Sequence, residues 1–287
     1  MTYRTPQALR MALEQRLLSR SNESAVGLDR LRRRVLFERI VARLESTEPG
    51  RWVLKGGMAL EVRLQDDARL TKDIDLGLRD DIGDADELHE RLIEALMADP
   101  DEDGFVLTAR PPVRLGEDRG GQVTWRVKVA ARLAGKPFGG VSLDVSPRAH
   151  ELGDTDRVAL PNLLDFAGIP TPVVEIVDVH RHAAEKLHAM LRDFGDRENT
   201  RVRDLVDLVI LIEHGMLDPA TVAAATRQVF SERDAIEPPA VLPPLPDSWP
   251  HRYERLAADH DLATQLFPAG VALVRRLWAK MFPMQDT

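Results

Sequence analysis

The sequence predicts an α+β fold, with strands and helices mixed in the first half of the chain and helices alone in the second. Three observations carry that expectation. A short apolar run, Trp52-Val53-Leu54, ends on Lys55-Gly56-Gly57 and leads into helically spaced Met58, Leu60, Val62 and Leu64. Alternation of apolar and polar residues marks segments 72–78, 122–133 and 141–146 as half-buried strands. After Pro161, and more clearly after Pro172, alternation gives way to helical texture.

Each element has a local justification. Thr5-Pro6 reads as an N-cap and first-turn proline opening a helix to about Ser19. A second helix is expected from Gly27 to Leu44, ended by Pro49-Gly50, and another over Ala85 to Met97. In segment 122–133, Val123, Trp125, Val127, Val129 and Leu133 oppose Thr124, Arg126, Lys128 and Arg132. In segment 141–146, Val141, Leu143 and Val145 oppose Ser142, Asp144 and Ser146, and Gly135, Gly139 and Gly140 suit a hairpin or bulge between the two strands. The later helices are expected at 179–194, 202–214, 219–232 and 263–281, with the six prolines of segment 238–250 forming a packed strap.

Composition narrows the function. The 287 residues include no cysteine, so disulfides, thiol nucleophiles and cysteine zinc sites are excluded. No apolar stretch is long enough to span a bilayer, and the polar start lacks an apolar signal region, which points to a cytoplasmic protein with no membrane partner. The net charge of −8 argues against a surface coated uniformly for nucleic acid. Charge is uneven, however: residues 1–43 carry ten arginines against four acidic residues. Arg30, Arg32, Arg33 and Arg34 there form either a solvated helix face or a local contact for phosphates.

Two motifs carry chemistry. Strand, glycine turn and helix at Lys55-Gly56-Gly57 is an arrangement that binds phosphate, because glycine lets a ligand approach the backbone N–H groups at the helix start. Alternation in 72–78 places Asp73 and Asp75 on one strand face, a spacing suited to Mg²⁺, which takes oxygen ligands and shares them with substrate phosphates. Leu76 and Gly77 break the pattern of an EF-hand loop. Asp144 is a third strand carboxylate, either catalytic or merely solvated. Lys186 lies among small and apolar residues, and Asp204 and Asp207 share a helix face beside Arg203. These three form either an ion-pair network or a lysine and carboxylates serving phosphate.

The order of motifs, Lys-Gly-Gly, Lys-Asp-Ile-Asp, Leu-Asp-Val-Ser, Glu-Lys-Leu-His-Ala and Arg-Asp-Leu-Val-Asp-Leu, resembles the AbiEii/AbiGii family of nucleotidyltransferase toxins, MenT-type toxins among them, from about Trp52 to Leu208. The resemblance implies a polymerase-β-like nucleotidyltransferase core with a helical C-terminal half. The expected domains are N-terminal helices at 1–50, that core at 51–160 and a helical domain at 161–287. It further implies a toxin that transfers nucleotides from an NTP to an RNA acceptor, the 3′ end of tRNA, blocking translation until a cognate antitoxin protein neutralises it.

By the same resemblance Asp73, Asp75 and Asp144 hold two Mg²⁺ ions, Lys55, Gly56, Gly57 and Lys72 contact the triphosphate, and Lys186, Asp204 and Asp207 serve catalysis and nucleotide binding. Arg32, Arg33, Arg34, Arg126 and Lys128, with Arg132, are candidates for RNA phosphates. Thr71, just before Lys72-Asp73, either caps the turn or is a regulatory site whose phosphorylation would place charge beside the carboxylates. Gly-Gly replaces the Gly-Ser common among polymerase-β relatives, so one hydroxyl donor is absent. Competing expectations are transfer to a protein or small molecule, and a non-catalytic module that binds RNA or a partner. A kinase is disfavoured because no Walker A sequence is present and His180-Arg181-His182 is not a kinase catalytic loop. The spacing of His180, His182 and His188 fits no zinc site.

Overall fold

A computed structural model describes residues 3, 5–24, 26–65, 71, 73–117, 123–147, 153–192, 195 and 198–283. Contacts divide the chain into two units, one reaching to Val177 and the other running from Asp178 onward.

The first unit is built on an eight-stranded sheet: β1 (Trp52–Lys55), β2 (Asp73–Leu78), β3 (Phe105–Ala109), β4 (Val113–Glu117), β5 (Val123–Leu133), β6 (Lys136–Pro147), β7 (Thr155–Ala159) and β8 (Val173–Val177). The strand order is β3-β5-β6-β2-β1-β8-β7, with β4 also paired to β5. Helices α1 (Pro6–Glu23), α2 (Leu28–Thr47), α3 (Gly56–Leu64) and α4 (Ala85–Met97), with a 3-10 turn at Asp165–Ala167, belong to this unit among the described residues. Thr5 caps α1 by accepting from Ala8 N at 3.2 Å, as the Thr5-Pro6 pair predicts. The N-terminal helices fall in the same compact unit as the sheet, and the second unit takes up the chain from Asp178.

One finding corrects the expected element pattern and another sharpens it. Helical structure does not begin at Pro172, because Val173-Val174-Glu175-Ile176-Val177 forms β8 and pairs in parallel with β1. A run so rich in β-branched residues suits a strand buried against a neighbour. The glycines of segment 135–140 serve both a turn and a bulge. Gly135 has φ +72 in the β5–β6 turn, and the register shifts between Ala131 and Arg132, leaving Phe138 as the extra residue. Phe138 is buried edge-to-face on Phe105, 5.0 Å between ring centres, and this packing accounts for the bulge.

Helix α2 carries charges into the core. Arg39, Arg43 and Asp103 have no exposed surface. Both oxygens of Asp103 accept from Arg43 at 2.9 Å, and Arg39 reaches Asp101 at 2.9 Å and Asp103 at 3.4 Å. Burial alone would raise the pKa of Asp103, but the hydrogen bonds and charge of Arg43, the Phe105 N–H and the charge of Arg39 outweigh it, leaving it below the ordinary value.

The second unit contains helices α5 (Val179–Leu191), α6 (Val202–Glu213), α7 (Pro219–Asp234), α8 (Pro250–Asp259) and α9 (Phe267–Met281) among its described residues. The proline-rich segment is the packed strap expected: Leu242 and Trp249 are buried and Trp278 donates to the Pro239 carbonyl at 3.2 Å. Helix α8 was hidden in the sequence because its first residue, Pro250, is also the last proline of that strap.

Candidate active site

Four strands bring a row of charged residues together. Lys55 on β1 is the register partner of Asp75 on β2, Asp75 of Asp144 on β6, and Asp144 of Arg126 on β5. Directly paired residues project from the same face of a sheet. The row therefore reads Lys55, Asp75, Asp144, Arg126 across one surface, with Asp73 two residues before Asp75 on the same face. Lys55 is 9% exposed, while the side chain of Asp73 is 44% exposed at the start of its strand.

Gly56 is tied to Asp75. It has φ +57, and a Cβ built on it would lie 1.8 Å from Asp75 Oδ2. The glycine is thus required both by its backbone conformation and by the carboxylate lying against it. Gly57 is buried in the first turn of α3.

Arg126 governs the electrostatics at the other end of the row. Its Nε donates to Asp144 Oδ1 and its Nη2 to Asp144 Oδ2, both at 2.7 Å, and Nη2 also lies 3.2 Å from Asp73 Oδ2. The hydrogen bonds to Asp144 come first in raising the pKa of Arg126, with the charges of Asp144, Asp73 and Asp75 adding to them and partial burial opposing. Sequence reasoning placed Arg126 with RNA phosphates; the structure places its guanidinium on the carboxylates.

The donor chemistry fits a hard cation in part. Asp73 and Asp75 offer carboxylate oxygens from alternate positions of one strand face, the kind of ligand Mg²⁺ takes. Asp144 stands beside Asp75 in register, but both its oxygens already accept from Arg126. Among the described residues no three His, Asp or Glu groups form a ready metal cage. The fit is therefore to Asp73 and Asp75.

The second unit holds its own charged cluster. Lys186 on α5 lies 2.6 Å from Asp207 Oδ2 and 3.3 Å from Asp204 Oδ1, both on α6. All three are buried, Asp207 completely. Asp178 starts α5 by accepting from the N–H groups of His180 and Arg181, both at 2.9 Å. The structure joins the three residues that the sequence had grouped only by chemistry.

The N-terminal arginines are mostly engaged within the fold. Arg34 is buried and donates to Glu61 of α3 at 2.8 Å, Arg30 donates to the same oxygen at 3.0 Å, and Arg32 reaches Glu14 of α1 at 2.6 Å. Arg33 is half-buried, and Lys128 is exposed on β5. Arg132 donates to the Gly135 carbonyl. Thr71 donates to the Asp73 carbonyl at 3.2 Å, the local bond of a residue that shapes the strand entry. Lys72 lies outside the described residues.

Sequence reasoning missed Glu61, the buried acceptor that holds α2 to α3. Its signal was faint but present, since an acid inside the apolar Met58–Leu64 helix needs a cationic partner.

The structure resembles MenT4, a nucleotidyltransferase toxin from Mycobacterium tuberculosis H37Rv, with TM-score 0.60 and 20% identity over 95% of this chain and 90% of that one. A nucleotidyltransferase-like antigenic protein from Paracoccidioides brasiliensis matches with TM-score 0.40 and 16% identity over 70% of this chain and 88% of that one. No curated protein matches. A family described as nucleotidyl transferase AbiEii toxin, type IV toxin-antitoxin system, matches residues 39–286. With that match covering most of its length, the chain belongs to the AbiEii family of nucleotidyl transferase toxins.

Proposed function

We propose that this chain is a metal-dependent toxin that transfers a nucleotide from an NTP to an RNA, the 3′ end of tRNA, and so blocks translation until a cognate antitoxin protein neutralises it. The observation that carries the proposal is Asp75 held against the Gly56 backbone with Asp73 on the same strand face, within a chain of a nucleotidyl transferase family. The start of α3 would present backbone N–H groups to the triphosphate where glycine leaves room. An acceptor hydroxyl oxygen bonds to the α-phosphorus, the bond to the bridging oxygen breaks, pyrophosphate leaves with the electron pair, and the hydroxyl proton passes to water. Mg²⁺, held by Asp73 and Asp75, would supply positive charge to the phosphate oxygens.

The chain's own task is to hold the reactants in line and balance their charge. Lys55, the register partner of Asp75, is proposed as a phosphate contact. Lys186, held 2.6 Å from Asp207, is proposed as a further phosphate contact because its motif lies within the family match. Exposed Lys128 and half-buried Arg33 are the proposed RNA contacts that remain once Arg34 is engaged inside the fold. Phosphorylation of Thr71 is proposed as a control, resting on its position two residues before Asp73.

Purified protein incubated with Mg²⁺, total RNA and each labelled NTP in turn tests the proposal. Label appearing in a tRNA band with one NTP supports it, and label in a protein or in no product overturns it.

A further inference from the structure

The row of charges on the sheet has a composition that bears on how many metal ions it takes. Asp73, Asp75 and Asp144 contribute three negative charges, and Lys55 and Arg126 two positive ones, so the row carries one net negative charge. A single divalent ion already reverses that sign. A second would bring the local sum to three positive charges before any phosphate arrives. Arg126 meanwhile occupies both oxygens of Asp144 at 2.7 Å and touches Asp73 at 3.2 Å.

We propose that Arg126 is a resident cation that takes the place of a second metal ion, so that the site binds one divalent ion, on Asp73 and Asp75, while Asp144 is the positioning residue that holds Arg126. This rests on the nucleotidyl transferase function proposed above and deepens it.

Bidentate pairing of a guanidinium with a carboxylate uses two parallel charge-assisted hydrogen bonds, among the stronger polar contacts in proteins. An ion bound to Asp144 would have to share its oxygens with both and sit beside a fixed positive charge, which repels it. The pair is also defended by its surroundings. Asp144 is only 12% exposed on an inner strand, and the β5–β6 register that sets Arg126 opposite it is fixed by the Phe138 bulge packed on Phe105. A permanent guanidinium differs from an exchangeable ion in that it cannot be deprotonated or diluted away.

The test counts ions with Mn²⁺ alone, without nucleotide, using the electron paramagnetic resonance signal of free Mn²⁺. Wild type should bind one ion per chain, and Asp144→Asn should keep it. Arg126→Met should bind a second ion, or bind the first at least about tenfold more tightly, because two charge-assisted bonds no longer compete. Arg126→Lys, which keeps a cation there, should behave as wild type.

Two ions in wild type would overturn the proposal, as would loss of the ion in Asp144→Asn or no binding in wild type. Unchanged stoichiometry and affinity in Arg126→Met would do the same. If Arg126→Met does not fold, the Asp144→Asn count decides by itself. The labelled-NTP assay separates this from the proposed function: two ions with active transfer defeats only the resident cation, and one ion without transfer defeats only the transferase.

Discussion

The carboxylate of Asp75 lies so close to Gly56 that a methyl group on that glycine would stand 1.8 Å from Asp75 Oδ2, well inside contact distance. The glycine turn and the strand carboxylate, separated by 19 positions in sequence, are therefore one structural unit.

Gly56→Ala should consequently damage transfer by moving Asp75 as well as by crowding phosphate. The positive φ adds strain on the order of 1 kcal/mol or more. We expect transfer to fall at least about a hundredfold, the range for losing one preorganised contact. Mn²⁺ affinity should fall with it, and a variant that loses transfer while keeping wild-type Mn²⁺ affinity would show that Asp75 had not moved.

Asp73→Ala and Asp75→Ala should each abolish transfer and any growth toxicity and leave the fold intact. Asp73 sits partly exposed at a strand start, and each change relieves like-charge repulsion. Circular dichroism and a growth assay read the two outcomes, and toxicity persisting in both variants rules out chemistry on these carboxylates.

Lys186→Ala should lower stability and transfer together. Its removal deprives fully buried Asp207 of a partner 2.6 Å away, a loss that typically costs about 3–5 kcal/mol. The combined change Lys186→Met, Asp204→Asn and Asp207→Leu should recover most of that stability, since it removes all three charges of the buried cluster. Transfer that recovers as well would reduce Lys186 to a structural role, whereas a persistent loss of about a hundredfold supports a phosphate contact.

Glu38 predicts a pH dependence. Burial raises its pKa to about 8, against the ordinary 4.5, despite the opposing charges of Arg39, Arg20 and Arg34 and a weak bond from the Leu163 N–H. Between those values the folded protein keeps a proton that the unfolded chain has released. Stability therefore falls as pH rises through that window and levels off above it. The span amounts to a few kcal/mol, to order of magnitude. Glu38→Gln should flatten the slope and be more stable than wild type at high pH, measured by urea unfolding from acid to alkaline buffer. Parallel curves for the two proteins would show that Glu38 is ionised in the fold.

Much of the candidate site is legible in the sequence. Period-two alternation puts Asp73 and Asp75 on one strand face, and Lys55-Gly56-Gly57 at a strand end marks a glycine turn into a helix, because both signals are local and depend only on backbone geometry. The same alternation marks Asp144 and Arg126 as polar positions, but it says nothing about their being opposite each other. Continuing the register at the turn, where Leu133 faces Lys136, would set Arg126 against Leu143. The bulge at Phe138 slips the strand by one residue and sets it against Asp144, and only packing on Phe105 decides that slip.

What the sequence alone determined was the order and type of most elements, the strap, the glycine turn and the two alternating carboxylates. All of these follow from short-range periodicity and turn chemistry. What only the tertiary structure decided was partnership: Arg34 with Glu61 rather than with solvent, Arg43 with Asp103, β8 beside β1, and Arg126 on Asp144. The physical reason is that burying an arginine requires a specific carboxylate at hydrogen-bond distance, and residues far apart in sequence meet only when strands and helices pack.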